Sequence, residues 1–198
     1  MTFGQIIQRI YDKLGLTAEA TMVARMVNET TQEIASAAPW RFLEENTNHL
    51  FTTSQAEYTT GTSVANVLFL TASNGSPLDI LSQHLFKDLY RADTTGTAAY
   101  PYVATLNGMN TLGQQSFRVW PLPAANSTGT MRYLRRVNTM TTDADEPSIP
   151  TQWHQLIVDG ALSRFANHED HEQLANYRAQ FDAGLEKMKA VEPQVVVP

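Results

Sequence analysis

The sequence predicts an α+β protein, mainly α, in which both chain ends form an antiparallel four-helix bundle and a β-rich module is inserted between them. Apolar residues recur at helical spacing in residues 1–44 and 148–198. Residues 45–147 instead contain short alternating runs separated by turn residues, which is typical of strands. No repeat and no long linker divides the chain, so we expect a single discontinuous domain with the module at 45–147.

The two N-terminal helices have clear starts and ends. Thr2 and Gln5 fit a capping box, in which each side chain accepts the other residue's backbone N–H, and an apolar stripe follows. This predicts a helix over Thr2–Leu14. A second helix is expected from Thr17 to about residue 38, because Pro39 cannot continue it. The short connection predicts that the two helices pack antiparallel.

Two further helices are expected at the C-terminal end. The first covers 152–167 and carries Gly160 in the middle of its apolar stripe, which favours a close approach by another helix. The second begins at a capping-box pattern, Asp170 to Gln173, and ends before Pro193.

The middle of the chain reads as strands and turns. Ser76-Pro77 has the pattern of a helix start, which predicts a short helix within about 79–91. The segments Ser116–Trp120 and Thr130–Val137 are expected to form a hairpin. The other strand predictions are short runs at 49–53, 57–59, 67–70 and 100–106.

Composition excludes several classes of protein. The 198 residues include no cysteine, so disulfides, thiolate metal sites and cysteine catalysis are excluded. No apolar run reaches the length of a membrane span, and the N-terminus lacks a signal pattern, so we expect folding in a cytoplasm without export. The net charge of −6 argues against a free-standing nucleic-acid binder. It is compatible with a protein whose acidic surface lets DNA pass without binding it.

Candidate catalytic groups are few. Glu44 and Glu45 are adjacent, so they point in different directions in either a helix or a strand. His168-Glu169-Asp170-His171 is the one metal-like run, and zinc would need ligands from elsewhere. The sequence lacks a nucleophile elbow, a phosphate loop and a dinucleotide fingerprint. We therefore expect no enzyme activity, cofactor or metal; the alternatives are a carboxylate hydrolase using these groups or a generic helical protein-binding module.

A small basic cluster marks one predicted strand. Arg132, Arg135 and Arg136 are candidates for contact with DNA phosphates or with an acidic partner. The alternative is a solvated strand whose charge is balanced by Asp143, Asp145 and Glu146.

The order of features from Ser116 to Leu162 resembles the head-to-tail adaptor proteins of tailed bacteriophages. The matching pieces are the turn Trp120-Pro121-Leu122-Pro123, the strand Arg132–Val137, the loop Pro147…Ile149-Pro150 and the helix Leu156…Gly160-Ala161-Leu162. The resemblance implies a structural virion protein at the head–tail interface. Such a protein forms a ring, by analogy of twelve copies, that binds the portal and a tail or nozzle protein and leaves a channel for genomic DNA.

The last five residues form an apolar, β-branched tail. They are Gln194, Val195, Val196, Val197 and Pro198. Chain ends are usually disordered unless they are tied down. We expect this tail to dock as an extended segment on a partner, either the portal or a neighbouring copy; the alternative is a frayed end.

Overall fold

The computed structural model describes residues 1–14, 20–90, 96–168 and 174–195. These residues form two compact units. We call the described parts of 1–43 and 137–195 the helical unit, and 44–136 the strand unit.

Five α-helices are described. They are α1 Phe3–Leu14, α2 Ala20–Ser36, α3 Gln83–Tyr90, α4 His154–His168 and α5 Leu174–Val191. Two short 3-10 helices, Arg41–Leu43 and Thr151–Trp153, accompany them. None of the helices in these ranges is both long enough and apolar enough to cross a membrane.

The N-terminal helices match their predictions closely. Thr2 N–H donates to Gln5 Oε1 at 2.9 Å and Gln5 N–H to Thr2 Oγ1 at 3.4 Å, which confirms the capping box at the start of α1. The helix then buries Phe3, Ile6 and Ile10. Between α1 and α2, residues 15–19 lie outside the described residues, and so does the predicted start of α2 at Thr17.

Helix α4 is the centre of the helical unit. It packs against α1, α2 and α5 and is buried around most of its circumference. An ideal Cβ placed on Gly160 would lie 2.4 Å from Thr30 Cγ2 on α2 and 2.7 Å from the Phe181 ring on α5. The predicted close approach at Gly160 is therefore confirmed.

Long-range hydrogen bonds fix the loops of this unit. Trp40 is fully buried, and its indole N–H donates to the Ile34 carbonyl at 2.7 Å. The Asn28 amide makes a reciprocal pair with the backbone of Met140, at 3.0 and 2.8 Å. These bonds satisfy backbone groups of a loop that has no regular structure of its own.

His154 is a buried histidine at the start of α4. Its Nδ1 lies 2.7 Å from the Met1 amino nitrogen, and its Nε2 lies 2.8 Å from the Ile149 carbonyl oxygen. Burial lowers the pKa of His154, and the positive Met1 amine acts in the same direction, while the bond to Ile149 and the charge of Glu146 oppose them. The neutral form is thus favoured in the folded protein.

Acidification is expected to destabilise the helical unit through His154. Between the unfolded-state pKa of about 6.5 and the lowered folded-state pKa, the unfolded chain binds more protons. The contribution of His154 to the free energy of unfolding should therefore be constant above about pH 6.5. Below that pH it should decrease by at most about 1.4 kcal/mol per pH unit. Urea unfolding of wild type and His154→Gln at several pH values measures the difference. Equal pH slopes for the two proteins would show that His154 is not responsible.

The described residues of the strand unit form nine strands in three sheets. They are β1 Glu44–Phe51, β2 Glu57–Thr59, β3 Val64–Thr71, β4 Asp79–Leu81, β5 Thr97–Ala98, β6 Val103–Met109, β7 Gln115–Trp120, β8 Leu122–Pro123 and β9 Ser127–Arg135. The sheet orders are β1-β9-β3, β2-β7-β6-β4 and β5-β8. All pairs are antiparallel except β4 with β6 and β5 with β8, which are parallel.

An aromatic core holds this unit together. The Tyr58 ring contacts the Phe51 ring, with centroids 5.6 Å apart, and the Phe117 ring, with centroids 5.5 Å apart. The Tyr58 hydroxyl exchanges hydrogen bonds with the Thr52 backbone, which satisfies its polar end. The remaining core residues are Val64, Val67, Leu70, Ala72, Leu78, Ala104, Val119, Met131 and Tyr133.

The predicted fold class is wrong. The described chain has five helices and nine strands in three sheets, with 42% of residues helical and 29% in strands, and it is not a four-helix bundle with a small inserted module. The physical reason is that residues 44–136 bury an apolar core of their own. Strands such as β1, whose side chains are mostly polar and exposed, give little periodic signal in the sequence.

Two local predictions in the strand unit are also wrong. β7 and β9 do not form a hairpin: β7 pairs with β6 and β2, and β9 pairs with β1 and β3. They face one core from different sheets, which buries Phe117 of β7 and Met131 of β9 together. The short helix predicted within about 79–91 is confirmed as α3, but its predicted start at Ser76-Pro77 is wrong. Residues 79–81 form β4, and α3 begins after Ser82, whose Oγ accepts the Leu85 N–H.

Candidate functional site

The three candidate arginines lie at the C-terminal end of β9, where β1 is the neighbouring strand. Glu44 stands opposite Leu134 in the antiparallel register, so its side chain shares a face with Arg132. The Arg132 guanidinium donates to the Glu44 carboxylate, and this bond raises the pKa of Arg132. Glu44 is mostly buried, with a side-chain exposure of 15%.

Arg135 lies on the opposite face of the same strand. Its Nε is 3.2 Å from Glu45 Oε1, and the Tyr133 hydroxyl donates to Glu45 Oε2 at 3.0 Å. Burial raises the pKa of Tyr133, and the Glu45 carboxylate adds to this effect. The adjacent carboxylates Glu44 and Glu45 thus contact Arg132 and Arg135, respectively, on the two faces of the sheet.

Arg136 has a structural role at a different place. It lies just beyond β9, and its Nη2 donates to the Gly113 carbonyl at 2.5 Å. The same nitrogen lies 3.3 Å from Met109 Sδ. The three arginines therefore do not form one basic patch.

The sequence offers Asp143, Asp145 and Glu146 as the residues that balance the charge of the three arginines, but two of these arginines have other partners. Glu44 and Glu45 on β1, not the acidic residues near 145, are the ion-pair partners of Arg132 and Arg135. Asp145 instead accepts the Thr141 and Thr142 N–H groups at 2.6 and 2.9 Å. These hydrogen bonds lower the pKa of Asp145 to about 2. Its carboxylate orders its own loop.

The Arg132 pair is expected to matter more for stability than the Arg135 pair. Arg132→Gln removes the guanidinium that donates to Glu44, and the loss of a hydrogen bond to a charged group costs about 1.5–3 kcal/mol of unfolding free energy. Arg135→Gln removes a pair whose carboxylate is 46% exposed, so it should cost less than about 1 kcal/mol. Urea unfolding measures both, and Arg132→Gln combined with Glu44→Gln should recover part of the loss. An equal cost for the two single variants would contradict this ranking.

Of the candidate catalytic groups, the two that the structure describes, Glu44 and Glu45, are not assembled into a common site. Glu44 and Glu45 point to opposite faces of β1, each towards an arginine. Residues 169–173 lie outside the described residues, so the His168–His171 run remains untested. Within the described ranges, no group of three or more His, Asp or Glu is arranged to hold a metal ion.

The described part of the C-terminal tail is tied to its own chain. Gln194 forms an antiparallel bridge with Trp40, and Val195 N–H donates to the Pro39 carbonyl at 2.7 Å. The Arg41 N–H donates to the Pro193 carbonyl at 3.0 Å. Val196, Val197 and Pro198 lie outside the described residues. Residues 193–195 are thus anchored to the backbone of residues 39–41.

Comparison with known families now settles the class of protein. A family model described as SU10 adaptor protein matches residues 1–198, the whole chain. The chain belongs to the SU10 adaptor protein family. The resemblance to phage adaptors is confirmed, and membership implies a component of a phage virion. No curated protein matches this SU10 adaptor family member.

One candidate surface of the SU10 adaptor chain was not predicted from its sequence. Met109, the last residue of β6, is 57% exposed, and Leu112, in the turn between β6 and β7, is 70% exposed. The signal in the sequence was two apolar residues within a run rich in Gly and Asn, Asn107-Gly108-Met109-Asn110-Thr111-Leu112-Gly113. Glycine and asparagine predict a loop, and apolar side chains in an uncharged loop are candidates for contact with another protein.

Proposed function

We propose that the protein is a head-to-tail adaptor that forms a ring beneath the portal and joins it to a tail or nozzle protein. The observation that carries this proposal is the match of the adaptor family model to the entire chain. By analogy with such adaptors the ring has twelve copies around a channel for genomic DNA. Its work is structural and requires no enzyme activity.

The charge of the protein supports passage of DNA without specific binding. The chain carries a net charge of −6. Two of the three arginines first considered for DNA contact are paired with carboxylates on the neighbouring strand. A surface of this kind repels a polyanion at long range, so DNA is not retained as it moves through the ring.

Assembly with the portal tests this proposal. Purified protein is mixed with purified portal rings and examined by native mass spectrometry and electron microscopy. We expect a second ring on one end of the portal with a fixed copy number, and no binding to portal denatured beforehand. A protein that stays monomeric and unbound in the presence of intact portal would refute the adaptor function.

The end of the tail is expected to contribute to this joining. Residues 196–198 follow the anchor at Gln194 and Val195 and offer apolar side chains to the portal or to a neighbouring copy. Deletion of 196–198 should weaken portal binding and leave the free energy of unfolding unchanged within about 0.5 kcal/mol. Deletion of 194–198 should additionally cost about 1 kcal/mol, because it removes the backbone bond to Pro39.

Gln194→Ala is the matched control for the two deletions. It removes the side-chain bond to the Lys189 carbonyl but keeps the backbone bridge and the tail. If the 196–198 deletion variant binds the portal as well as this control does, the end of the tail has no docking role.

A further inference from the structure

A histidine on β1 lies among the aromatic rings of the strand unit. The centroid of the His49 imidazole is 5.0 Å from that of Phe51, 5.1 Å from that of Tyr58 and 5.0 Å from that of Phe117. Its Nε2 is buried and has no hydrogen-bond partner among the described residues. Buried polar atoms are usually hydrogen-bonded, so this nitrogen is an exception that has a physical consequence.

The strand opposite His49 leaves room for the ring. Gly129 of β9 is its cross-strand partner, so no side chain stands directly opposite the imidazole. An ideal Cβ on Gly129 would lie 1.9 Å from the Thr71 carbonyl oxygen and 2.7 Å from the Phe51 ring. Glycine is therefore needed here, and the backbone of β9 passes close to the core at the position of His49.

His49 is one of two side chains by which β1 enters this core. β1 is the edge strand of the sheet β1-β9-β3. Of its eight residues only Phe51 is buried, His49 and Glu44 are partly buried, and the others are exposed. His49 and Phe51 are two residues apart and share the inner face, whereas Glu44 lies on the outer face with Arg132. The attachment of β1 to the core thus depends on one phenylalanine and one titratable group.

The neighbouring residues of β1 and β9 provide no charge to balance an imidazolium. On the inner face of β1 the nearest carboxylate is Glu45, four residues from His49, or about 13 Å along the strand. Glu45 is moreover paired with Arg135. On β9, residues 127–131, which lie opposite this half of β1, are uncharged.

The other strands around the imidazole are equally poor in charge on this side. On β2 and β7, Glu57 and Arg118 stand opposite each other and alternate with Tyr58 and Phe117, so they point away from the core. Tyr58 is titratable, but burial raises its pKa and its hydroxyl bonds to backbone groups. β3 and β6, which complete the core, contain no charged residue. A proton on His49 would therefore be an uncompensated charge.

Protonation of His49 is thus easier when β1 has left the core. Ring faces attract a cation, but this attraction is weaker than the hydration that a buried cation loses. Burial accordingly lowers the pKa of His49 below its ordinary value of 6.5. In water the imidazole regains the ordinary pKa, so between the two values the opened strand binds more protons than the closed one. The closed form is therefore favoured above about pH 6.5 and loses stability as the pH falls.

We propose that His49 is an acid-sensitive latch on β1. The neutral imidazole keeps this edge strand on β9, and protonation releases it, which exposes Phe51 and the free edge of β9. The latch is a property of the strand unit and does not depend on the adaptor function.

Hydrogen–deuterium exchange of the full chain tests the latch. Protection factors, which correct for the intrinsic pH dependence of exchange, are measured for the β1 and β7 amides between about pH 7.5 and about pH 5. We expect protection of β1 to be constant above about pH 6.5 and to fall by up to about tenfold per pH unit below it, with a smaller change in β7. Exchange of the imidazole Cε1 hydrogen over the same range should give His49 a pKa below 6.5.

Variants assign the effect to one side chain. His49→Phe retains an aromatic ring and His49→Gln retains an uncharged polar group, and both should abolish the additional fall in β1 protection. His84→Gln is the matched control, because the side chain of His84 is 90% exposed on α3, and it should behave like wild type. If His49→Phe does not fold, His49→Gln and the wild-type titration decide the question.

Three results would overturn the latch. The first is a His49 pKa at or above 6.5, which would mean that the rings stabilise the cation. The second is β1 protection in wild type that does not change with pH. The third is a fall of equal size in wild type and in the folded His49 variants. Each of these results would leave portal binding at neutral pH, and hence the adaptor function, unaffected.

Discussion

Ile157→Asp is expected to unfold the helical unit. Ile157 has no exposed surface on α4, the helix that packs against α1, α2 and α5. An aspartate there would be a buried carboxylate without a partner, which costs several kcal/mol. A loss of this size is comparable with the whole stability of many domains, about 5–15 kcal/mol. Circular dichroism and urea unfolding should show lost helix signal or a greatly lowered midpoint.

Two controls separate charge from shape at this position. Ile157→Val keeps the site apolar and should cost only about 0.5–1.5 kcal/mol. Val191→Asp places the same charge at a site that is 61% exposed on α5 and should change stability by less than about 0.5 kcal/mol. An unchanged melting curve for Ile157→Asp would mean that α4 is not the core of this unit.

Gly160→Val is expected to have the second largest effect. The new Cβ alone would lie 2.4 Å from Thr30 Cγ2 and 2.7 Å from the Phe181 ring, so these side chains or the helices that carry them must shift. Overpacking of this kind costs about 1–3 kcal/mol or more, because the side chains on both sides are already buried. The free energy of unfolding should fall accordingly in urea titrations.

Two further variants test whether the cost of Gly160→Val comes from the close contact with α2 and α5. Thr30→Ser removes the nearer methyl group, so adding it to Gly160→Val should restore part of the lost stability. Ala190→Val places valine on an exposed position of α5 and reports the cost of a β-branched residue in a helix, a few tenths of a kcal/mol. If Gly160→Val were as mild as Ala190→Val, the helices would not be in close contact there.

The helices were predictable because their signals are local. Thr2 and Gln5 are three residues apart and Pro39 acts on its immediate neighbours, so the bounds of α1 and the end of α2 follow from short stretches of sequence. The position of Gly160 within an apolar stripe likewise predicted a close approach, although not which side chains it meets. Those partners, Thr30 and Phe181, come from distant parts of the chain.

The strand unit was less predictable because its pairings are distant in sequence. β9 alternates clearly, but its neighbours β1 and β3 lie far earlier in the chain. The local pattern instead favours pairing with the nearer strand β7, which is wrong. The partners of Arg132 and Tyr133 are 88 residues away, so their ion pair and hydrogen bond leave no local pattern. The class prediction was wrong for the same reason: a second core assembled from short strands has little periodicity in any one of them.

The most direct test of the adaptor function uses phage particles made without this protein. Electron microscopy of such particles should show heads without tails, and adding the purified protein together with purified tails should restore joined particles. The same preparation with Leu50→Glu should join tails as well as wild type does, because that change lies outside the proposed contacts. Particles that carry tails normally in the absence of the protein would contradict the account.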